Sequence, residues 1–318
     1  WLVQLYAQAR SGLGKLRLRF QLSHPGVKDV LKVMGPATLS SGMLHINVYT
    51  DLFFASYISN AAAAMKYANL IALTPLGIIS NMILVPMLPV FSRLASPENW
   101  EELKERIRQG LLLCALTMLP LTAILMTLAF PVVRLIYQRY AFDQAALDVV
   151  APVLVAYGLG MFFYLGRDVL VRVFYALGDG QTPFRISIVN IFLNAILDYV
   201  LMNFFQTPGL VLSTIGVNIT SMVVMLWVLN RRLNGLPLLK WGNIFFTLTA
   251  GTILAGLGSF GTSQLWKQWL GNDNLLLEIG QLLFPSAVAI LLFFAVASWL
   301  KLPELTILIT RFRKKLKL

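Results

Sequence analysis

Six stretches of this 318-residue chain carry no Asp, Glu, Lys or Arg: 67–92, 109–133, 149–166, 199–230, 241–266 and 279–300. Most of them match or exceed the roughly 20 residues that an α-helix needs to cross the hydrocarbon of a bilayer. A water-soluble fold would have to bury these runs with little polar surface left to face solvent. Composition agrees, since 58% of the residues are hydrophobic and 13% charged, whereas soluble domains average about 25% charged. The expectation is an all-α, polytopic transmembrane helical bundle with about eight spanning helices.

Polar punctuation places the spans. They are expected near 33–59, 67–92, 109–137, 145–177, 184–206, 210–230, 242–264 and 279–300. A segment with six positive charges, 10–32, reads as a cytoplasmic linker along anionic headgroups, and 304–318 as a basic amphipathic tail. Trp1 to Ala9 reads as the end of an earlier helix, without a signal-peptide pattern and without an initiator Met. Ser96, Pro97 and Glu98 predict the cap, first position and acidic first turn of a short surface helix, supported by Glu102 and Arg106 at i, i+4. Pro120 and Pro131 predict kinks in the third span, and 206–209 a tight turn. Trp241, Trp266, Trp269 and Trp299, near span ends, read as interface anchors.

The net charge of +12 would suggest nucleic acid in a soluble protein, but its distribution gives it another meaning. Of the 26 Lys and Arg residues, 20 fall on one side of the eight-span topology and four on the other, with Arg167 and Arg172 inside a span. That bias puts both ends of the sequence in the cytoplasm, and no nucleic-acid partner is implied. No segment between spans exceeds about 25 residues, too few for a soluble catalytic domain. Cys114 lies in an apolar run with no second cysteine, so neither a disulfide nor a thiolate metal site is available. Gly-rich phosphate loops, zinc-spaced His pairs and nucleophile elbows are missing, and Gly178, Asp179 and Gly180 read as a plain connection.

Ionisable and amide side chains at membrane depth are costly, which makes them candidates for function. Asn47 and Asp51 share one helix face, with His45 about a third of a turn away, and Asn194 and Asp198 share another face four residues apart. If the first and fifth spans touch, Asp51, Asn194 and Asp198, with Thr214 and the Leu210 carbonyl, can offer oxygen ligands to a hard monovalent cation such as sodium. The same groups can equally serve as hydrogen bonds between helices. Arg167, Asp168 and Arg172 form a second cluster. An Asp168–Arg172 ion pair at i, i+4 would leave Arg167 for an anion, or both arginines fix helix packing.

Three stretches are familiar. RDVLVRV running into FYALGDGQTPFR (167–185), HPGVKDVLKVMGPA (24–37) and PVFSRLA (89–95) resemble the MurJ/MviN family of lipid II flippases, a branch of the MOP exporter superfamily, over nearly the whole chain. The resemblance implies a bacterial cytoplasmic-membrane protein of two six-helix lobes and a final helix pair. Here 33–232 would be the second lobe, 233–302 the pair, 1–32 the end of a preceding helix and a linker, and 303–318 the tail. It also implies transport rather than enzyme chemistry: outward passage of a lipid-linked peptidoglycan precursor by alternating access, coupled to sodium or the membrane potential. Sodium (Na+) would be held by Asp51, Asn194, Asp198, Leu210 and Thr214, and substrate would meet Arg167, Arg172, Asn69, His45 and Asn47. The family's Asp-Arg after a Tyr-Ala pair is absent, since Tyr67 and Ala68 are followed by Asn69 and Leu70. Exporters of other lipid-linked oligosaccharides or drugs, and a scaffold that recruits cell-wall synthesis proteins, are alternative readings, and membrane lipids are partners in all of them.

Overall fold

Apolar chain in a bilayer must satisfy its backbone within itself, so helices are the natural outcome, and a computed structural model of the protein is built of them. It describes Arg10, 46–139, 142–271 and 274–300. The chain is helical over 46–55 (α1), then in α2 (Ala61–Arg93), α3 (Trp100–Tyr137, entered through a 3-10 turn at Pro97–Asn99), α4 (Gln144–Ala176), α5 (Gln181–Phe205), α6 (Thr207–Arg232), α7 (Leu238–Leu270) and α8 (Leu275–Trp299). Seven of these, all but α1, are long and apolar enough to cross a membrane.

Several boundaries depart from expectation for one reason: a helix continues beyond the hydrocarbon, so charge does not end it. α2 begins at Ala61 and carries the exposed Lys66. The expected surface helix and third span are a single helix, α3. Its first turns are knit by Glu101–Lys104 (2.6 Å) and Glu102–Arg106 (3.0 Å) pairs on the surface. Ser96 makes no side-chain cap bond, and the preceding Ala95 carbonyl instead accepts from the Trp100 indole (3.2 Å). Asp143 does cap α4, accepting from the Ala146 amide (2.9 Å).

α3 is the central helix, packed against α2, α4, α7 and α8, and Cys114 is buried within it. Of its two prolines only one interrupts the helix. Leu128 leaves helical dihedrals (φ −112°, ψ 17°) three residues before Pro131, where the proline ring displaces the preceding turn. Helical dihedrals persist around Pro120. α4 approaches its neighbours through small residues: a Cβ on Gly158 would lie 3.0 Å from Leu125, and one on Gly166 3.3 Å from Met222 of α6. The Thr122 hydroxyl donates to the Gly158 carbonyl (2.8 Å), tying α3 to α4.

α7 and α8 pack along Gly251 and Gly258 against Val296 and Leu292. A hydrogen bond joins the Thr127 and Ser259 hydroxyls (3.0 Å) and holds the pair to α3. Trp269 and Trp299 are exposed, as interface anchors should be, but Trp241 is buried in the core. Trp266 lies against Gly280 and donates to the Leu277 carbonyl (3.1 Å), a packing role between α7 and α8.

Candidate functional site

The tightest connection in the structure builds the polar site. Gln206 alone, at φ 53° and ψ −130°, links α5 to α6. The helices can close this far only because residue 209 is glycine: a Cβ there would overlap the Leu201 carbonyl and the Met202 amide. α5 therefore lies along α6 from its first turn, and Asp198 faces Ser213, whose hydroxyl contacts Asp198 Oδ1 and the Leu210 carbonyl.

One turn earlier on α5, Asn194 Nδ2 donates to Asp198 Oδ2 (2.9 Å) and across to Asp51 Oδ1 of α1 (2.7 Å). Asp51 Oδ2 accepts from the Thr214 hydroxyl (3.2 Å), which also lies 3.4 Å from the Leu210 carbonyl. Asp51 thus bridges α5 and α6, and the five residues expected to converge do so. Asp198 is seven residues from the end of α5, about 10 Å at 1.5 Å per residue. By the positive-charge bias that end is the outer one.

Water has no access to much of this cluster, with Asp198 at 0% and Asn194 at 1% exposure. Both carboxylates rest on one amide nitrogen, less than two hydrogen-bond lengths apart. Among the described residues neither acid forms an ion pair with a basic side chain. Asn194 Oδ1 is buried with no hydrogen-bond partner. All the candidate ligand atoms are oxygens, which suits a hard cation; no cluster of three or more His, Cys, Asp and Glu among the described residues suits a transition metal.

Spacing alone did not reveal two further features of the α5–α6 seam. Ser213 is one, adjacent to the expected Thr214 but turned to α5 rather than α1. The other is a buried layer below it, where Asn190 Nδ2 donates to Ser221 Oγ (2.6 Å) and Asn218 Nδ2 to the Thr214 carbonyl (2.9 Å).

The arginine cluster is arranged differently from expectation. Asp168 pairs with its neighbour Arg167 (3.3 Å), and no Asp168–Arg172 ion pair forms among the described residues. A guanidinium on a flexible stem can turn back to the adjacent carboxylate, so spacing at i, i+4 does not select the partner. Arg167 Nε remains buried and without a partner. Asn69 is half-buried on α2, Leu70 beside it is exposed, and Asn47 Oδ1 is buried without a partner. His45 lies outside the described residues.

Between α4 and α5 the expected plain turn is a bonded junction. Gly178 takes φ 72°, and Asp179 accepts from the Thr182 amide (3.0 Å), the Thr182 hydroxyl (2.7 Å) and Arg232 Nη1 (2.7 Å). Arg232 Nη2 also donates to the Leu177 carbonyl (3.2 Å). Partial burial opposes charge on Asp179, but the Thr182 hydrogen bonds and the Arg232 guanidinium outweigh it and hold the carboxyl below its usual range.

Buried acids clasped between spans of a helical bundle define a polytopic membrane protein with a polar interior site. The sequence matches the family model described as Lipid II flippase MurJ over residues 1–279, and the chain belongs to that family. It is 58% identical over 317 residues to the probable lipid II flippase MurJ of Synechocystis sp., covering 100% of this chain and 60% of that protein. The probable lipid II flippase MurJ of Rickettsia prowazekii is 31% identical over 199 residues, 61% of this chain and 38% of that one. The chain therefore spans about 60% of the length of its Synechocystis relative.

Among solved structures, "Lipid II flippase MurJ, inward closed conformation" shares the fold at TM-score 0.72 and 19% identity, covering 94% of this chain and 59% of that one. A MOP superfamily transporter from Pyrococcus furiosus shares it at TM-score 0.53 and 11% identity, covering 80% of this chain and 60% of that one.

Proposed function

We propose that this chain is the second lobe and final helix pair of a flippase that moves a lipid-linked peptidoglycan precursor outward across the bacterial cytoplasmic membrane. Cation binding at Asp51 biases its conformational cycle. The observation that carries the reading is the bridge from Asp51 on α1 to Asn194 on α5 and Thr214 on α6, in a chain belonging to the lipid II flippase MurJ family. No covalent bond is made or broken, and the work is alternating access around a polar interior.

Asp51, Asp198, Asn194, Thr214 and the Leu210 carbonyl fit a sodium ion, because all their free donors are oxygens and Asn194 Oδ1 is buried without a partner. A cation bound there supplies the positive charge that lets two neighbouring carboxylates coexist in a low-dielectric site. The residues do the rest: Asp51 draws α1 onto the α5–α6 hairpin, and Ser213 and Asn194 orient Asp198. Ion binding shifts the cycle only if one conformer holds the ion more tightly than the other. On the substrate side, Arg167, with Nε free, and Arg172 are the cationic groups that would meet a pyrophosphate, with Asn69 on neighbouring α2. Asn47 shares the face of Asp51 but lies one turn away from the acid cluster.

The test is lipid-precursor transport by the full-length protein, with Asp198→Ala and with potassium replacing sodium. Loss of flux in either arm is expected, and unchanged flux in both overturns the coupling. Rescue of a flippase-depleted cell by the full-length protein separates transport from a scaffolding role.

A further inference from the structure

The layer beneath the carboxylate pair has an unusual balance of donors and acceptors. α1 and α5 run toward the outer side and α6 runs back. One turn before Asp51 and Asn194, and one turn after Thr214, therefore reach a common level about 5.4 Å closer to the cytoplasm. Those positions are Asn47, Asn190 and Asn218, three amides at one level of a membrane bundle.

Their hydrogen bonds fix which way two of the amides point. Ser221 donates its hydroxyl proton to the Val217 carbonyl (2.8 Å), so toward Asn190 it can only accept, and Asn190 must present its nitrogen. Asn218 faces the Thr214 carbonyl, another acceptor, and must do the same. The amide nitrogens of both residues are thereby engaged, and among the described residues no donor reaches either carbonyl oxygen. Asn47 Oδ1 is buried without a partner, as is Asn194 Oδ1 directly above. Asn190, Asn194 and Asn218 are 4%, 1% and 6% exposed, so only a small part of each side chain reaches accessible surface.

Buried polar atoms ordinarily find partners. Helix packing alone would be served by amides that bond through both ends. This seam instead spends its nitrogens on the protein and leaves its oxygens free, as a ligand with positive charge and no lone pairs to offer requires. Neutral carbonyl oxygens suit a hard monovalent cation and bind it more loosely than two carboxylates do.

We infer that Asn47, Asn190 and Asn218 form a second, uncharged cation station one turn cytoplasmic to Asp51 and Asp198, through which the ion passes between the acid pair and the inner side. The inference rests on the cation reading of the acid pair, and the experiment separates the two.

Equilibrium binding of radioactive sodium to the purified full-length protein is measured to saturation, with potassium and choline as competitors. Wild type is expected to show two phases. Asn190→Leu should weaken the looser phase by about tenfold or more and leave the tighter one in place, and Asn47→Leu should act in the same way without touching the α5–α6 bond. Asp198→Ala should remove the tighter phase. A single ion at saturation, all of it lost in Asp198→Ala and unaffected by both Asn variants, overturns the second station while leaving the acid pair intact. No sodium binding in wild type overturns both. Thermal melts in choline check that each variant is folded, and Asn47→Leu decides the matter if Asn190→Leu is not.

Discussion

Replacing Asp198 by asparagine separates the charge of the acid pair from its shape. The variant keeps the outline of the side chain, and its amide can still accept from Asn194 Nδ2, 2.9 Å away in the native protein, and lie against Ser213. Exchanging charged for neutral hydrogen bonds costs about 1 kcal/mol, and relief of repulsion from Asp51 on the same amide offsets part of it. The fold should therefore survive without sodium at nearly native stability. Cation affinity should not. One unit charge about 4 Å from the ion, at an effective dielectric of about 20, is worth about 4 kcal/mol, close to a thousandfold in affinity. At a sodium concentration one hundred times the native Kd, wild type gains about 2.7 kcal/mol of stability, and the variant gains almost none. The assay is thermal unfolding of the full-length protein in sodium and in choline. A sodium-dependent shift of equal size in both proteins would refute the electrostatic argument for the acid pair.

Three further outcomes follow from the geometry. Asp179→Ala should cost up to about 1 kcal/mol, since the Arg232 pair is partly exposed. Because the folded pKa lies below the unfolded value of about 3.9, this contribution is full at neutral pH and fades as pH falls through the folded value. Melts of wild type and variant should then converge in acid, and a constant gap at every pH would exclude the carboxylate as its source. Gly209→Ala should destabilise by about 1 to 3 kcal/mol or prevent folding, because the new Cβ meets Leu201 backbone. Gly110→Ala should cost much less, since its Cβ meets first the movable end of Met87, at 2.7 Å, and thermal melts rank the two. Thr127→Val should loosen α7 from α3 by about 0.6 kcal/mol, read as faster amide exchange in α7.

Uncharged run lengths made the order of the seven spans among the described residues legible, because the bilayer sets a minimum length and excludes charge. They misplaced the ends of α2 and α3, where Lys66 and the Glu101–Arg108 turns belong to helix that extends past the hydrocarbon. Four-residue spacing put Asn194 and Asp198 on one face, yet no periodicity within a helix says which distant span supplies Asp51. Oxygen-bearing side chains on both spans raised that pairing as one possibility and the family resemblance implied it, and the Asn194 and Thr214 hydrogen bonds to Asp51 are its geometric counterpart. Ser213 was hidden by its neighbour, because adjacent residues on a helix face different partners. Arg232 was illegible as the partner of Asp179: 53 residues separate them, and only the closure of the α5–α6 hairpin brings them together.

The position of α3 has a mechanical consequence. It is clamped on one flank by the glycine-lined crossing with α4 and on the other by the Thr127–Ser259 link to α7. Helices α7 and α8 are therefore geared to the central helix α3 rather than hung loosely from its side. A tilt that begins at Asp51 and passes through the α4–α6 crossing would reach α7 as a swing. A spin label at the exposed Leu257 would serve as a pointer on that gear.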